Sequence, residues 1–298
     1  MYINPYESVA SGTGQWLRTN FHTHCGARKG DNCGIIPLKD CIEVYKDCGY
    51  HVLAITNHDA YTDLDEFANE SDMVLINGYE YSQKQHMLCI GGRAVVSGKH
   101  QEAIDSCVGE DGFVIICHPH LDTDDYWPTE DIKKLNGHVG IEIYNSVIPR
   151  LAGLALATDV WDELLASGRL VWGFANDDFH RWFDLANSWT MVYGDKSYDS
   201  VKAAIKSGCF YGSTGLKLKK LVLDKEIIHI DVVYLNDYIG ELQYEFIGCN
   251  SRLLARIVGE SIDYKLPKAE PYVRICVTAP DGSKLWTQPI YDDDFFKV

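Results

Sequence analysis

Between residues 20 and about 210, short apolar runs alternate with amphipathic ones, and this alternation constrains the fold more than any other feature. Strands are predicted at residues 21–24, 51–56, 73–77, 87–91, 113–117, 139–144, 170–175 and 189–193. The helices between them are readable from period and stop signals. Leu38, Cys41, Ile42, Tyr45 and Cys48 share one helical face, and Gly49 supplies a stop. Thr158 is the expected N-cap of a helix burying Val160, Trp161, Leu164 and Leu165, closed by Gly168. Ser197 opens another, with Val201, Ala204 and Ile205 inward and Gly208 at its end. Such β-α alternation predicts a parallel sheet with helices outside, as a barrel or a doubly wound layer. After residue 215 the texture changes to strand-like runs without a strong helix. The last two run to either side of Pro280-Asp-Gly-Ser283, a turn-forming tetrapeptide. The expected organisation is an α/β domain over 1–215 and a small antiparallel, β-sandwich-like module over 216–298.

At 298 residues, folding buries about three quarters of the unfolded chain's surface, enough for such a pair. The net charge of −16 and the lack of any Lys/Arg cluster make a nucleic-acid polymer or an anionic membrane a poor partner. No apolar run approaches the ~18 residues of a membrane span. The N-terminus has neither the basic region nor the apolar stretch of a signal peptide, so a soluble, cytoplasmic protein is expected. Ten cysteines occur without a C-x-x-C pair, which fits reduced, mostly buried thiols.

The histidines carry the chemistry. His22-x-His24 closes the first predicted strand, and alternate strand residues face one way, so both imidazoles reach one ion. The next strand ends in Asn57-His58-Asp59, and the third in Asn77-Gly-Tyr-Glu80, with His86 six residues on. Further strands deliver His118-Pro-His120 and Asn176-Asp-Asp178-Phe-His180. In a parallel α/β sheet those strand ends share one face, where active sites lie. Five strands thus carry His or carboxylate at or just past their ends, and six of the eleven histidines falling in this register point to metal binding.

The ordered set Trp16-x-x-x-Asn20-Phe-His22-Thr-His24, Leu53-Ala-Ile-Thr-Asn-His58-Asp, Gly78-x-Glu80, His118-Pro119 and Asp178-Phe-His180, closed by Phe210-Tyr-Gly-Ser-Thr-Gly215, resembles the polymerase-and-histidinol-phosphatase (PHP) family of metal-dependent phosphoesterases. The resemblance spans residues ~14–215. It implies a distorted, TIM-like, seven-stranded (β/α) barrel and two to three divalent ions, Zn, Mn or Fe. By motif, one ion takes His22, His24, Glu80 and Asp178. Glu80 bridges to a second ion held by His86 and His118, and a third takes Asp31, His58 and His180. The catalytic set is then His22, His24, Glu80, His118, Asp178 and His180. The chain departs from the usual Thr-Asp-His in its second motif, which here reads Thr56-Asn57-His58. Asp177 is expected as a partner behind the ligands or a surface acid. His120 is a ligand, a phosphate donor or a helix cap.

The reading that follows is a metal-dependent phosphomonoesterase acting on a small phosphorylated metabolite or nucleotide. Bridged divalent ions lower the pKa of bound water toward 7. Three such ions against three carboxylates leave the centre locally cationic despite the acidic chain, whose wider field is screened beyond about 8–10 Å. Arg28, Arg150 and Arg181 lie in or beside the motif loops, where they fork onto phosphate or form surface salt bridges. Asn145 ends a strand on the same face and is a candidate substrate or water contact. Trp182-Phe183 packs on a substrate ring or in the core. The alternatives are amidohydrolase-like cleavage of an amide or lactone, and a metal-binding module without turnover. The sequence sets no oligomeric state.

Overall fold

The computed structural model describes residues 1–12, 14–26, 33–68, 71–122 and 125–297, so Arg28 and Asp31 lie outside the described residues. The strands are β1 (Tyr2–Ile3), β2 (Gln15–Asn20), β3 (Val52–Ile55), β4 (Val74–Tyr81), β5 (Met87–Ile90), β6 (Phe113–Ile116), β7 (Gly140–Asn145), β8 (Trp172–Asn176), β9 (Trp189–Gly194) and β10 (Phe210–Ser213). They continue with β11 (Leu216–Asp224), β12 (Ile227–Tyr234), β13 (Leu242–Gly248), β14 (Arg252–Gly259), β15 (Ser261–Lys265), β16 (Tyr272–Thr278), β17 (Lys284–Thr287) and β18 (Ile290–Asp292). The α-helices are α1 (Glu7–Ser11), α2 (Leu38–Asp47), α3 (Asp65–Ala68), α4 (His100–Gly109), α5 (Thr129–Ile132), α6 (Thr158–Ala166) and α7 (Tyr198–Ser207).

The seven-stranded (β/α) barrel is not what forms. The described residues build one 15-stranded mixed sheet, ordered β1-β18-β16-β17-β10-β9-β2-β3-β4-β5-β6-β7-β8 with β13 and β14 attached through β16, beside a separate β11-β12-β15 sheet. Strand residues outnumber helical ones, 37% against 22%, so an outer ring of helices on every strand is ruled out. The parallel expectation holds only for β2-β3-β4 and β6-β7-β8. β5 runs antiparallel to both β4 and β6, and β9 antiparallel to β2. For β5 against β4 the cause is connection length. Only residues 82–86 separate β4 from β5, whereas a parallel crossover needs a dozen or more. Between β8 and β9 side chains replace the ladder. The Thr190 hydroxyl accepts from the Ala175 N–H (3.2 Å) and donates to the Ala175 carbonyl (2.9 Å), and Ser188 Oγ donates to the Asn176 carbonyl (2.5 Å).

Helix periodicity translates directly. α2 buries Cys41, Ile42 and Tyr45, and Gly49 past its end takes φ +76°. Ser197 caps α7, its Oγ accepting from the Ser200 N–H at 3.2 Å, and Gly208 closes it at φ +75°. Thr158 is instead the first residue inside α6, with Ala157 at the cap and no side-chain capping bond. β3 shows why the body is stable. Val52 and Ala54 pack into one apolar cluster with β6 and β7, while Leu53 and Ile55 pack into a second with α2 and strands after residue 215. A strand buried on both faces needs continuous apolar sequence, and Val52, Leu53 and Ile55 each contribute about 1.5–3 kcal/mol. Among the described residues no helix is long and apolar enough to cross a membrane, and the ten cysteines form no disulfide.

Candidate metal centre

β2 ends at Asn20, and the chain stays extended through His22–His24. Thr23 pairs in parallel with Phe179, the His24 N–H bonding the Phe179 carbonyl at 2.8 Å. His22 and His24 therefore share a face, their Nε2 atoms 3.1 Å apart and both rings buried. His58 is delivered past β3 and docks on β4, where the Asp59 N–H bonds the Glu80 carbonyl at 2.8 Å. Glu80 lies inside β4, opposite Leu88 of β5, rather than beyond a strand end. His86 comes round the same hairpin, His118 follows β6, and Asp178 and His180 follow β8.

These elements converge on one carboxylate. Glu80 Oε1 lies 3.0 Å from His86 Nδ1, 3.2 Å from His118 Nε2 and 3.4 Å from His22 Nε2. Its Oε2 lies 2.7 Å from His58 Nδ1 and 3.3 Å from His24 Nε2. Asp178 Oδ1 completes the inner wall, 3.2 Å from His22 Nε2 and 3.3 Å from both His24 Nε2 and His180 Nδ1. Glu80 is fully buried, so burial alone would raise its pKa; His22, His58 and His86 outweigh that and hold it well below the carboxylate range. The same balance, with His22 and His180 as the cations, depresses Asp178. Burial disfavours charge on His58 and His180, but Glu80 raises His58 to about 11 and Asp178 raises His180 to about 9.

Whether these residues suit metal ions is answered by their loose ends. Glu80 Oε2, Asp178 Oδ1 and His58 Nδ1 are buried and meet their neighbours only as close His/carboxylate pairs without hydrogen-bond geometry, an arrangement that a shared metal ion would satisfy. Four groups have ligand atoms within 4.8 Å of one another: His22, His24 and Asp178; His22, Glu80, Cys117 and His118; His58, Glu80 and His86; and His24, Cys33, His58 and His180. These clusters could hold metal ions. Backbone strain gathers here too, with His118 at φ +25° and Asp178 at φ +55°.

Behind the candidate ligands stands a carboxylate the motif reading missed. Glu142 in β7 is buried. Its Oε1 takes His22 Nδ1 (2.9 Å) and Asn176 Nδ2 (2.9 Å), and its Oε2 takes the His118 N–H (2.9 Å) and Asn145 Nδ2 (2.9 Å). A glutamate inside the otherwise apolar run Ile141–Ile143 was the available signal. Cys33 is the second omission, and no motif marked it. Burial pushes its thiol up, but hydrogen bonds from His180, His24 and His58 outweigh that and bring it to about 4.

The remaining candidates fall elsewhere. Asn145 Nδ2 also donates to Asp178 Oδ2 (3.1 Å), turning Oδ1 toward the histidines. His120 Nε2 meets both Asp159 oxygens, at 2.9 and 3.0 Å, on the first turn of α6. Arg150 forks onto buried Asp184 through Nε (2.8 Å) and Nη2 (2.7 Å), and the Arg181 N–H donates to the same carboxylate (2.8 Å). Asp177 is buried and accepts the Ala186, Asn187 and Ser188 N–H groups and the Tyr45 hydroxyl, at 2.8–3.0 Å. It anchors the loop after β8 rather than facing the candidate ligands. Asn57 explains its own departure from an aspartate: it accepts the Cys25 N–H (3.1 Å) and donates to the Cys25 carbonyl (2.8 Å), a pairing no carboxylate makes. Trp182 and Phe183 are exposed rather than packed in the core.

Comparison of the sequence with protein-family models and with curated proteins finds no match.

Proposed function

We propose that the chain is a metal-dependent hydrolase, most simply a phosphomonoesterase of the PHP type its motifs resemble, acting on a small phosphorylated metabolite or nucleotide. The observation that carries this reading is the Glu80 carboxylate within 3.4 Å of five imidazoles, with Asp178 closing the same space. A buried carboxylate with both oxygens turned to different histidines is suited to bridge two ions. His22, His24 and Asp178 would hold one, and His86 and His118 the other; bound there, divalent ions supply an acidified water and neutralise phosphate oxygens. Mixed His/carboxylate ligation suits Zn, Mn or Fe better than Mg or Ca.

The chain's own residues prepare that chemistry. Glu142 holds the His22 ring by Nδ1 so that Nε2 faces inward, and Asn145 fixes the Asp178 carboxylate. Exposed Trp182 and Phe183, just past His180, offer flat apolar surface to the organic part of a substrate. The test is phosphate release by manganese-loaded protein from a panel of phosphomonoesters and nucleotides, with Asp178→Ala as control. Release lost in the control supports the reading. Silence across the panel from protein shown to bind metal turns the assignment toward amide or lactone hydrolysis, and then to a module without turnover.

A further inference from the structure

We propose that Cys33 is a metal ligand: with His58 and His180, and bordered by His24, it forms a thiolate site for a zinc-class ion beside the carboxylate-bridged pair. The four side chains bring their ligand atoms within 4.8 Å of one another. Cys33 and His180 belong to this group alone, whereas His24 and His58 each also stand in a second one, facing Asp178 and Glu80. His24 is 1% exposed and its Nδ1 makes no hydrogen bond. Its ring stacks on His180 with centroids 4.2 Å apart, so the two imidazoles and the thiol surround one small volume.

The backbone explains how a cysteine arrives there. Gly34 sits at φ +66°, and a Cβ on it would lie 2.8 Å from both the Cys25 nitrogen and the His24 carbonyl carbon. Only glycine lets this segment press against the His24–Cys25 backbone, and that approach places Cys33 over the histidines. The set among the described residues is sufficient without a carboxylate. One thiolate and two or three imidazoles favour zinc or cobalt over manganese, which prefers oxygen donors. The centre would then be mixed, with a soft site for zinc next to a carboxylate-bridged pair open to manganese or iron. Cys117 is the competing thiol, grouped with His22, Glu80 and His118, but it is fully buried and its Sγ contacts the Ile115 carbonyl at 3.9 Å.

This rests on the metal-centre part of the function proposed above and is tested apart from activity. The full chain is stripped of metal and loaded with cobalt(II), and the near-ultraviolet sulfur-to-cobalt charge-transfer band is read. The band is expected in the wild type and in Cys117→Ser, and absent from Cys33→Ser and Cys33→Asp. Cys33→Asp should still bind cobalt but lose at least about tenfold in preference for zinc over manganese. Folded wild type that binds no cobalt, cobalt-loaded wild type without the band, or a band that survives in Cys33→Ser each overturn the proposal. Phosphate release with manganese is measured in parallel. Release without a band removes the thiolate site and leaves the hydrolase; a band without release does the reverse.

Discussion

Glu142 Oε1 and His22 Nδ1 meet at 2.9 Å with both side chains fully buried. The pair fixes which nitrogen of His22 remains for the cluster, because a carboxylate can only accept and so holds the proton on Nδ1. Glu142→Gln keeps the shape and removes that bias. Metal affinity is expected to fall about ten- to hundredfold, with little change in fold, as read by metal titration and circular dichroism. Unchanged affinity would remove Glu142 from the account.

Arg274 of β16 forks onto Asp162 of α6, Nε and Nη2 each 2.6 Å from a carboxylate oxygen, both side chains 4% exposed. Arg274→Met alone strands a buried carboxylate and should cost about 3–5 kcal/mol. The double variant Arg274→Met/Asp162→Leu should cost less than the sum of the single changes. Urea unfolding of the four proteins gives the cycle, and strictly additive losses would contradict a coupled buried pair.

His138 precedes β7 with both ring nitrogens buried and without hydrogen bonds. Burial first, and the nearby Arg169 second, lower its pKa to about 4 from the ordinary value near 6.5. Between those values the unfolded chain binds the extra proton and the folded chain does not, so stability falls as pH drops through this window. His138→Phe should lose less urea resistance than wild type between about pH 7 and pH 4.5. An identical loss in both proteins would refute the assignment.

The candidate ligands were legible because they are local. His22-x-His24, Asn57-His58 and Asp178-Phe-His180 each need only one strand end to place them; β3 and β8, which feed the last two, lie within a few residues of their predicted limits, whereas the first strand is Gln15–Asn20 and stops before the predicted 21–24. What escaped the sequence was pairing. A run such as Met87–Ile90 is equally apolar in a parallel or an antiparallel sheet, and the direction of β5 was decided by the short connection from Tyr81. Glu80 was therefore expected past a strand end and lies within one. Glu142 and Cys33 escaped for a different reason. One acts through His22 and the other through a glycine-dependent close approach, and neither relation has a spacing that can be read along the chain.

The central claim is that Glu80 organises a metal centre. Elemental analysis of dialysed protein, wild type against Glu80→Ala, tests it most directly, with circular dichroism to show that both are folded. The account requires more than one tightly held divalent ion per wild-type chain and the loss of at least one in the variant. A folded wild type that retains no metal, or a Glu80→Ala protein with undiminished content, would contradict it.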